Sequence, residues 1–300
     1  MIDSDELDDK FGIEGEVGFM EMDGELVFIN VSNKYADADI CLYGAHVTSF
    51  RPVRTMEMLW MSSESNYEEG KAIRGGIPVC FPWFGPHKTD SSLPQHGFAR
   101  LMYWDVLATK SLPNGETQVD LILKSSEETR KYWPYDFEAV MHLTIGTTLT
   151  VTLDVKNTSA ESFEYGCALH SYFFISDIAH IGIEGLKGLS YLNQLTGETG
   201  KQDEDVLQIS EPLTRHYQNT ETPVAIADEG FRRRITIEKA GSKVTTVWNP
   251  AEEACAGMGD MPDDGFANFV CVEATASFDY MITVAPGESF QTSQVFGVEE

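Results

Sequence analysis

The sequence predicts an all-β protein, a large antiparallel β-sandwich. Three observations carry that prediction: apolar residues recur with a period of two, turn formers break the chain about every eight to twelve residues, and amphipathic helices of ordinary length are hard to find. At 300 residues, with 42% hydrophobic and 23% charged side chains, the chain can bury a large core. No composition break or repeat divides it, so one domain is expected over 24–300, after an acidic segment at 1–23 expected to be partly disordered.

Taken in order, the first strands are ELVFINV, ADICLYG, AHVTSF and MEMLWM, with Gly44 marking a bend or bulge between two of them. The stretch from Arg74 to Arg100, RGGIPVCFPWFGPHKTDSSLPQHGFAR, is different. Pro78, Pro82, Pro86 and Pro94 exclude a helix there and interrupt a sheet ladder, because proline lacks a backbone donor and fixes φ. A long, shaped loop flanked by cations is the expectation, and such loops usually build a site. Strands resume with MYWDVLATK and TQVDLILK around Asn114-Gly115, the strongest short hairpin signal. FEAVMHLTIG and TLTVTLDVKN form a second hairpin about Gly146-Thr147, and FEYGCALHSYFFI follows as an apolar strand interrupted by His170 and Ser171. The last third repeats the pattern through HIGIEG, PVAIAD, RRITIEK, KVTTVWN, FVCVEA and MITVAPGESFQTSQVF.

A net charge of -27 repels nucleic acid and anionic lipid, so neither is expected as a partner. No apolar run is long enough for a membrane helix, and the start MIDSDELDDK lacks the basic and apolar regions of a signal peptide. Cys41, Cys80, Cys167, Cys255 and Cys271 are odd in number, without C-x-x-C spacing, and lie mostly in apolar runs. They read as reduced, buried cysteines of a cytoplasmic protein. Histidine spacing offers no zinc motif, and Asp260, Asp263 and Asp264 in MGDMPDDG lack the calcium-loop spacing and read as an acidic turn. Phosphate-cradling, dinucleotide and G-x-S-x-G motifs are absent from the sequence.

Two side chains stand out because their strands do not ask for them. His170 interrupts an apolar run, and Glu273 sits among valines and a cysteine in FVCVEATA. A buried imidazole needs a partner, and a buried carboxylate either meets a cation, faces solvent at a strand end, or has a raised pKa suited to a general base. His96, beside Gly97, is either a ligand contact or a plain loop residue. Arg74 and Arg100 either grip an anion through forked hydrogen bonds or pair with nearby carboxylates.

AIRGGIPVCFPWFGP, PQHGFAR, ALHSYF, GDMPDDGF and FVCVEA, in this order, resemble the hexose-6-phosphate mutarotases (glucose-6-phosphate 1-epimerases) of the aldose 1-epimerase superfamily. LYGAHVTSF, SSEETRKYWPYDF and VWNP fit too, so the resemblance runs from about residue 24 to the end. It implies a galactose-mutarotase-type sandwich, with His170 as general acid and Glu273 as general base. His96 and its neighbour Gln95 become sugar contacts, and Arg74 and Arg100 hold the 6-phosphate. The implied reaction interconverts the α and β anomers of an aldohexose 6-phosphate and needs no metal or organic cofactor, since side chains carry both proton transfers.

One position departs from the family. Where Asp-Arg, an apolar residue and Tyr are usual, the chain has Thr214-Arg215-His216-Tyr217, and Asp205 or Glu211 is the nearby substitute for the missing carboxylate. Three other readings stay open: a non-catalytic sugar-phosphate binder, a glycoside hydrolase, which needs a second carboxylate facing Glu273, and an epimerase of unphosphorylated aldoses. A monomer is the expected state.

Overall fold

The structure, a computed structural model, describes residues 3–299. Every strand-to-strand ladder in it is antiparallel, and two large sheets dominate. Nine strands form one sheet, running from Val206–Leu207 at one edge through Arg233–Ala240, Ser289–Glu299, Leu149–Asn157 and Phe137–Ile145 to Asp105–Ser111 at the other. The second has eight strands, with Leu213–Gln218, Val244–Asn249, Phe269–Ala276 and Cys167–Leu169 as successive neighbours and Val79–Cys80 at an edge. A smaller four-stranded sheet begins with Val17–Glu21. The all-β expectation therefore holds.

Both hairpins lie where the turn residues put them. Asp105–Ser111 and Thr117–Lys124 flank Asn114-Gly115, and Phe137–Ile145 pairs with Leu149–Asn157 in a continuous register. In the second hairpin buried and half-buried residues alternate along all nine residues of the first strand, as expected of a sheet with one face in the core.

The sheets meet along the strands Ser289–Glu299 and Phe269–Ala276. Gln294 Nε2 donates to the Val272 carbonyl at 2.9 Å, and Phe173 and Phe296 pack edge-on with centroids 5.0 Å apart. All eight residues of Phe269–Ala276 are buried, so this strand has no solvent face. Val270, Val272, Ala274 and Ala276 point into the main core, while Phe269 and Cys271 join a second apolar cluster with Trp60, Tyr172, Cys255 and Met261. Strand alternation puts Glu273 on that second face, which is where the site forms.

Two expectations are corrected. The acidic start is ordered from residue 4: Ser4–Phe11 is helical, with the Asp3 carboxylate capping the amides of Asp5 and Glu6. Asp8 accepts from the Phe19 amide, and Leu7 and Phe11 pack against the core, so apolar anchors at helical spacing override the acidic composition. Met1 and Ile2, the rest of that tip, lie outside the described residues. The Arg74–Arg100 stretch is also not wholly irregular, because Val79–Cys80 pairs with Cys167–Leu169 and leaves its prolines outside the ladder.

Candidate active site

A cavity of about 270 Å³ opens on the outer face of the eight-stranded sheet, lined by Arg74, Gln95, His96, Arg100, His170, Thr214 and Glu273. The six residues expected to act on substrate therefore converge, together with the position that departs from the family. Gln194, Thr246, Trp248 and Met258 complete much of the wall, and the sequence had given no reason to single them out.

His170 does not sit on a strand. It occupies the break between Cys167–Leu169 and Tyr172–Phe174, where its amide donates to the Pro78 carbonyl at 3.1 Å, so the proline-rich loop fixes it from behind. Its ring stacks on Tyr172 at 4.9 Å between centroids and 11° between planes. Glu273 is central on its strand, paired across the ladder with Thr246. Nδ1 of His170 lies 3.6 Å from Oε1 of Glu273, too long for a formed hydrogen bond. His170 Nδ1 and Glu273 Oε2 are both buried without a hydrogen-bond partner among the described residues, a costly arrangement for polar atoms.

Burial pushes the Glu273 carboxyl well above the usual carboxylate range. Burial also pushes His170 well below the usual imidazole range, reinforced by His96, Arg100 and Arg74. Both shifts favour the uncharged pair, a carboxylic acid beside an imidazole, over the form in which its one proton has moved to give carboxylate with imidazolium. Both forms have the same net charge, and both offer one acid and one base. Cys271 also lies near, with ligand atoms of His170, Cys271 and Glu273 all within 4.8 Å of one another. Burial raises the Cys271 thiol well above its ordinary pKa, so a metal there would have to displace a proton from a buried thiol.

His96 is held in a left-handed conformation, φ 66°, by its amide's bond to the Gly85 carbonyl at 2.7 Å. Its Nδ1 accepts from the Gly85 amide at 3.2 Å, which leaves Nε2–H as the free donor. Burial, with Arg100 and Arg74, lowers its pKa to about 3, so the ring is neutral. The following glycine is obligatory: at φ 74°, a Cβ on Gly97 would come within 2.0 Å of the Phe81 carbonyl oxygen. Gln95 lines the cavity and gives its backbone carbonyl to Arg100 at 2.9 Å.

The arginines differ from one another. Of the two readings open for Arg74, the structure shows pairing with a carboxylate: Nε and one terminal nitrogen bind Asp260 at 3.0 and 3.1 Å, and the other bonds the Tyr172 hydroxyl at 3.0 Å. Its fork is occupied by an aspartate of the acidic turn, and it contributes positive potential to the cavity. Arg100 retains a buried Nε with no partner. Asp205 and Glu211 do not replace the missing aspartate: Asp205 is bound to Lys187 on the surface, Glu211 is exposed, and neither lines the cavity.

The sequence pattern of the aldose 1-epimerase family matches residues 28–297. A protein of Escherichia coli described as a candidate glucose-6-phosphate 1-epimerase is 37% identical over 250 residues, covering 83% of each chain. One from Cenchrus ciliaris with the same description is 35% identical, covering 85% of this chain and 79% of its own. The crystal structure of a candidate mutarotase from Salmonella typhimurium superposes with a TM-score of 0.89 at 32% identity, over 95% of this chain and 94% of that one. With the sandwich and a family match over most of its length, the chain belongs to the aldose 1-epimerase family.

Proposed function

We propose that the protein interconverts the α and β anomers of an aldohexose 6-phosphate, with D-glucose 6-phosphate as the foremost substrate. The observation that carries this reading is the pairing of His170 with Glu273 at 3.6 Å inside a cavity whose other walls hold two arginines. In the carboxylate–imidazolium form, Glu273 takes the proton from the C1 hydroxyl. The electron pair left on that oxygen forms the C1 carbonyl, the bond from C1 to the ring oxygen breaks, and His170 protonates the ring oxygen. Rotation about C1–C2 presents the opposite carbonyl face, and the same two residues in reversed roles close the ring. Positioned proton transfer of this kind contributes roughly two to four powers of ten in rate.

Arg100, with its unpaired Nε, is the direct phosphate contact, and Arg74 adds charge from its bridge to Asp260. His96 donates from Nε2 to a sugar oxygen, with Gln95 beside it at the rim. Five free, buried cysteines support a reducing compartment such as the cytoplasm, and a monomer suffices because the cavity is built within one chain. Among the described residues no helix is long and apolar enough to cross a membrane.

NMR exchange spectroscopy on glucose 6-phosphate, with free glucose and galactose as controls and the spontaneous rate subtracted, tests the reading. Faster exchange for the phosphate is expected. No acceleration of any sugar would overturn catalysis, and equal acceleration of phosphorylated and free sugars would overturn the phosphate assignment.

A further inference from the structure

The family's aspartate is replaced by Thr214, yet the cavity is not left without a polar group at that point. Gln194, 20 residues earlier in the chain, donates its backbone amide to the Thr214 carbonyl at 2.9 Å and lines the cavity beside it. Its side chain is held from behind. Gln194 Oε1 lies 2.7 Å from Nε2 of His216, and the other ring nitrogen of His216 lies 2.9 Å from the Thr246 hydroxyl. The Thr246 hydroxyl in turn accepts from the Thr275 hydroxyl at 3.0 Å. His216, Thr246 and Thr275 are each no more than 1% exposed.

The direction of this chain follows from counting hydrogens. If Thr275 donates to Thr246, Thr246 to His216 Nδ1, and His216 Nε2–H to Gln194 Oε1, every hydrogen has an acceptor. Reversing it, with the Gln194 amide turned over, makes His216 donate to Thr246. One buried threonine hydroxyl hydrogen is then left with no acceptor among the described residues, which costs stability. Either direction needs a neutral imidazole, which burial supplies by lowering the pKa of His216 to about 4, so the buried threonine hydrogen decides between them. Phe84 and Phe278 pack against that ring at 6.0 and 4.8 Å and keep it dry. Gln194 is itself exposed at the cavity wall, and its bond to the buried His216 turns its carbonyl oxygen inward and leaves its NH2 group free.

We propose that Gln194 is a specificity-determining residue, donating its amide hydrogens to a ring hydroxyl oxygen of the substrate where the usual family pattern provides an aspartate acceptor, and that His216 is the positioning residue that sets this polarity. Aspartate accepts, whereas this amide donates, so the cavity reads the same region of the sugar with the opposite hydrogen-bond sense. A hydroxyl can answer either, which explains how Thr214 is tolerated. The inference rests on the hexose-phosphate reading above.

The test measures kcat and KM for anomer exchange on glucose 6-phosphate, mannose 6-phosphate, allose 6-phosphate and galactose 6-phosphate, which differ in turn at C2, C3 and C4. Gln194→Ala and Gln194→Glu should each raise KM for glucose 6-phosphate about tenfold with kcat nearly kept, since one hydrogen bond is lost and the acid–base pair is untouched. The penalty should fall unevenly over the sugars, and the one whose change moves the hydroxyl that is read should lose little more. His216→Phe, and Thr246→Val as a less disruptive break in the chain, should reproduce the KM effect, and neither should add to Gln194→Ala in the double variant. An unchanged KM in Gln194→Ala, the same penalty on all four sugars, or additive effects in the double variants would overturn the proposal. Wild-type protein that fails to accelerate exchange would instead overturn the functional reading on which it rests.

Discussion

The hairpin Phe137–Asn157 and the strand Phe269–Ala276 are both antiparallel β-structure in contact with the main core, but they obey different rules. In the hairpin, inward residues such as Ala139, Met141, Leu143, Val151, Leu153 and Val155 are apolar and fully buried, and the outward positions are polar except for Val140. The central strand is buried on both faces and still carries a carboxylate with one oxygen unpaired. One region is optimised for packing. The other gives up stability to hold an ionisable carboxyl group in low dielectric, and the cost is tolerable because the surrounding sheets over-determine its position.

The sharpest way to break this comparison is to remove the carboxyl group from the second region. Glu273→Gln should lower the exchange rate by roughly two to four powers of ten. It should leave Tm unchanged or raised, because a raised folded pKa means the ionised unfolded state is favoured as pH climbs above the ordinary carboxylate value. A variant that keeps its rate would remove Glu273 from the mechanism, and one that loses rate only by unfolding would make the carboxylate structural.

Leu153→Ala in the hairpin should do the reverse. The side chain is fully buried, so a loss of about 2–5 kcal/mol in denaturant unfolding is expected, with kcat/KM of the folded fraction unchanged. A comparable fall in kcat/KM would show that the two regions are coupled and the contrast is overdrawn.

Acid should act through three buried histidines, of which His96 lines the cavity and His216 lies behind it, while His46 is buried against the Gly75 carbonyl outside it. His46, His96 and His216 have folded pKa values lowered by burial to about 4, 3 and 4, against about 6.5 in the unfolded chain. A depressed folded pKa gives stability that is present above the unfolded value and lost as pH falls through the folded one, so unfolding midpoints should drop between about pH 6.5 and 4, with up to roughly 3 kcal/mol from His46. The His170–Glu273 pair behaves otherwise: burial resists both a second proton and the loss of the shared one. The rate in folded protein should therefore stay flat across neutral pH. A stability curve flat to pH 4 would contradict the histidine burial.

The smallest effect separates the two arginines. Arg100→Ala should raise KM for glucose 6-phosphate roughly 10–100-fold and leave free glucose nearly unaffected, the range for one charge-assisted contact. Arg74→Ala should in addition lower Tm, because Asp260 loses its partner. Equal KM changes on both sugars in Arg100→Ala would assign Arg100 a structural role.

Much of this was legible in the sequence because it is local. Period-two alternation and the Asn114-Gly115 turn depend on neighbours along the chain, and they fixed the class and both hairpins. His170 and Glu273 were visible as polar residues in apolar runs, and the proline-rich stretch as a shaped loop. The order of the N-terminal helix was less visible, since its acidic composition hides the two apolar residues that anchor it.

What only the tertiary structure decided is how residues far apart in sequence meet. Asp260 takes the fork of Arg74 across 186 residues, which turns an expected phosphate clamp into half of an ion pair. Gln194 carries no signal in its own segment, and gains a role only because Leu213–Gln218 and Val244–Asn249 bring His216 and Thr246 behind it. The pKa values of the site follow the same logic, since desolvation depends on everything that surrounds a group in space. Local pattern sets which face a side chain takes on its strand, but hydrogen-bond partners and burial are set by the packing of the whole chain.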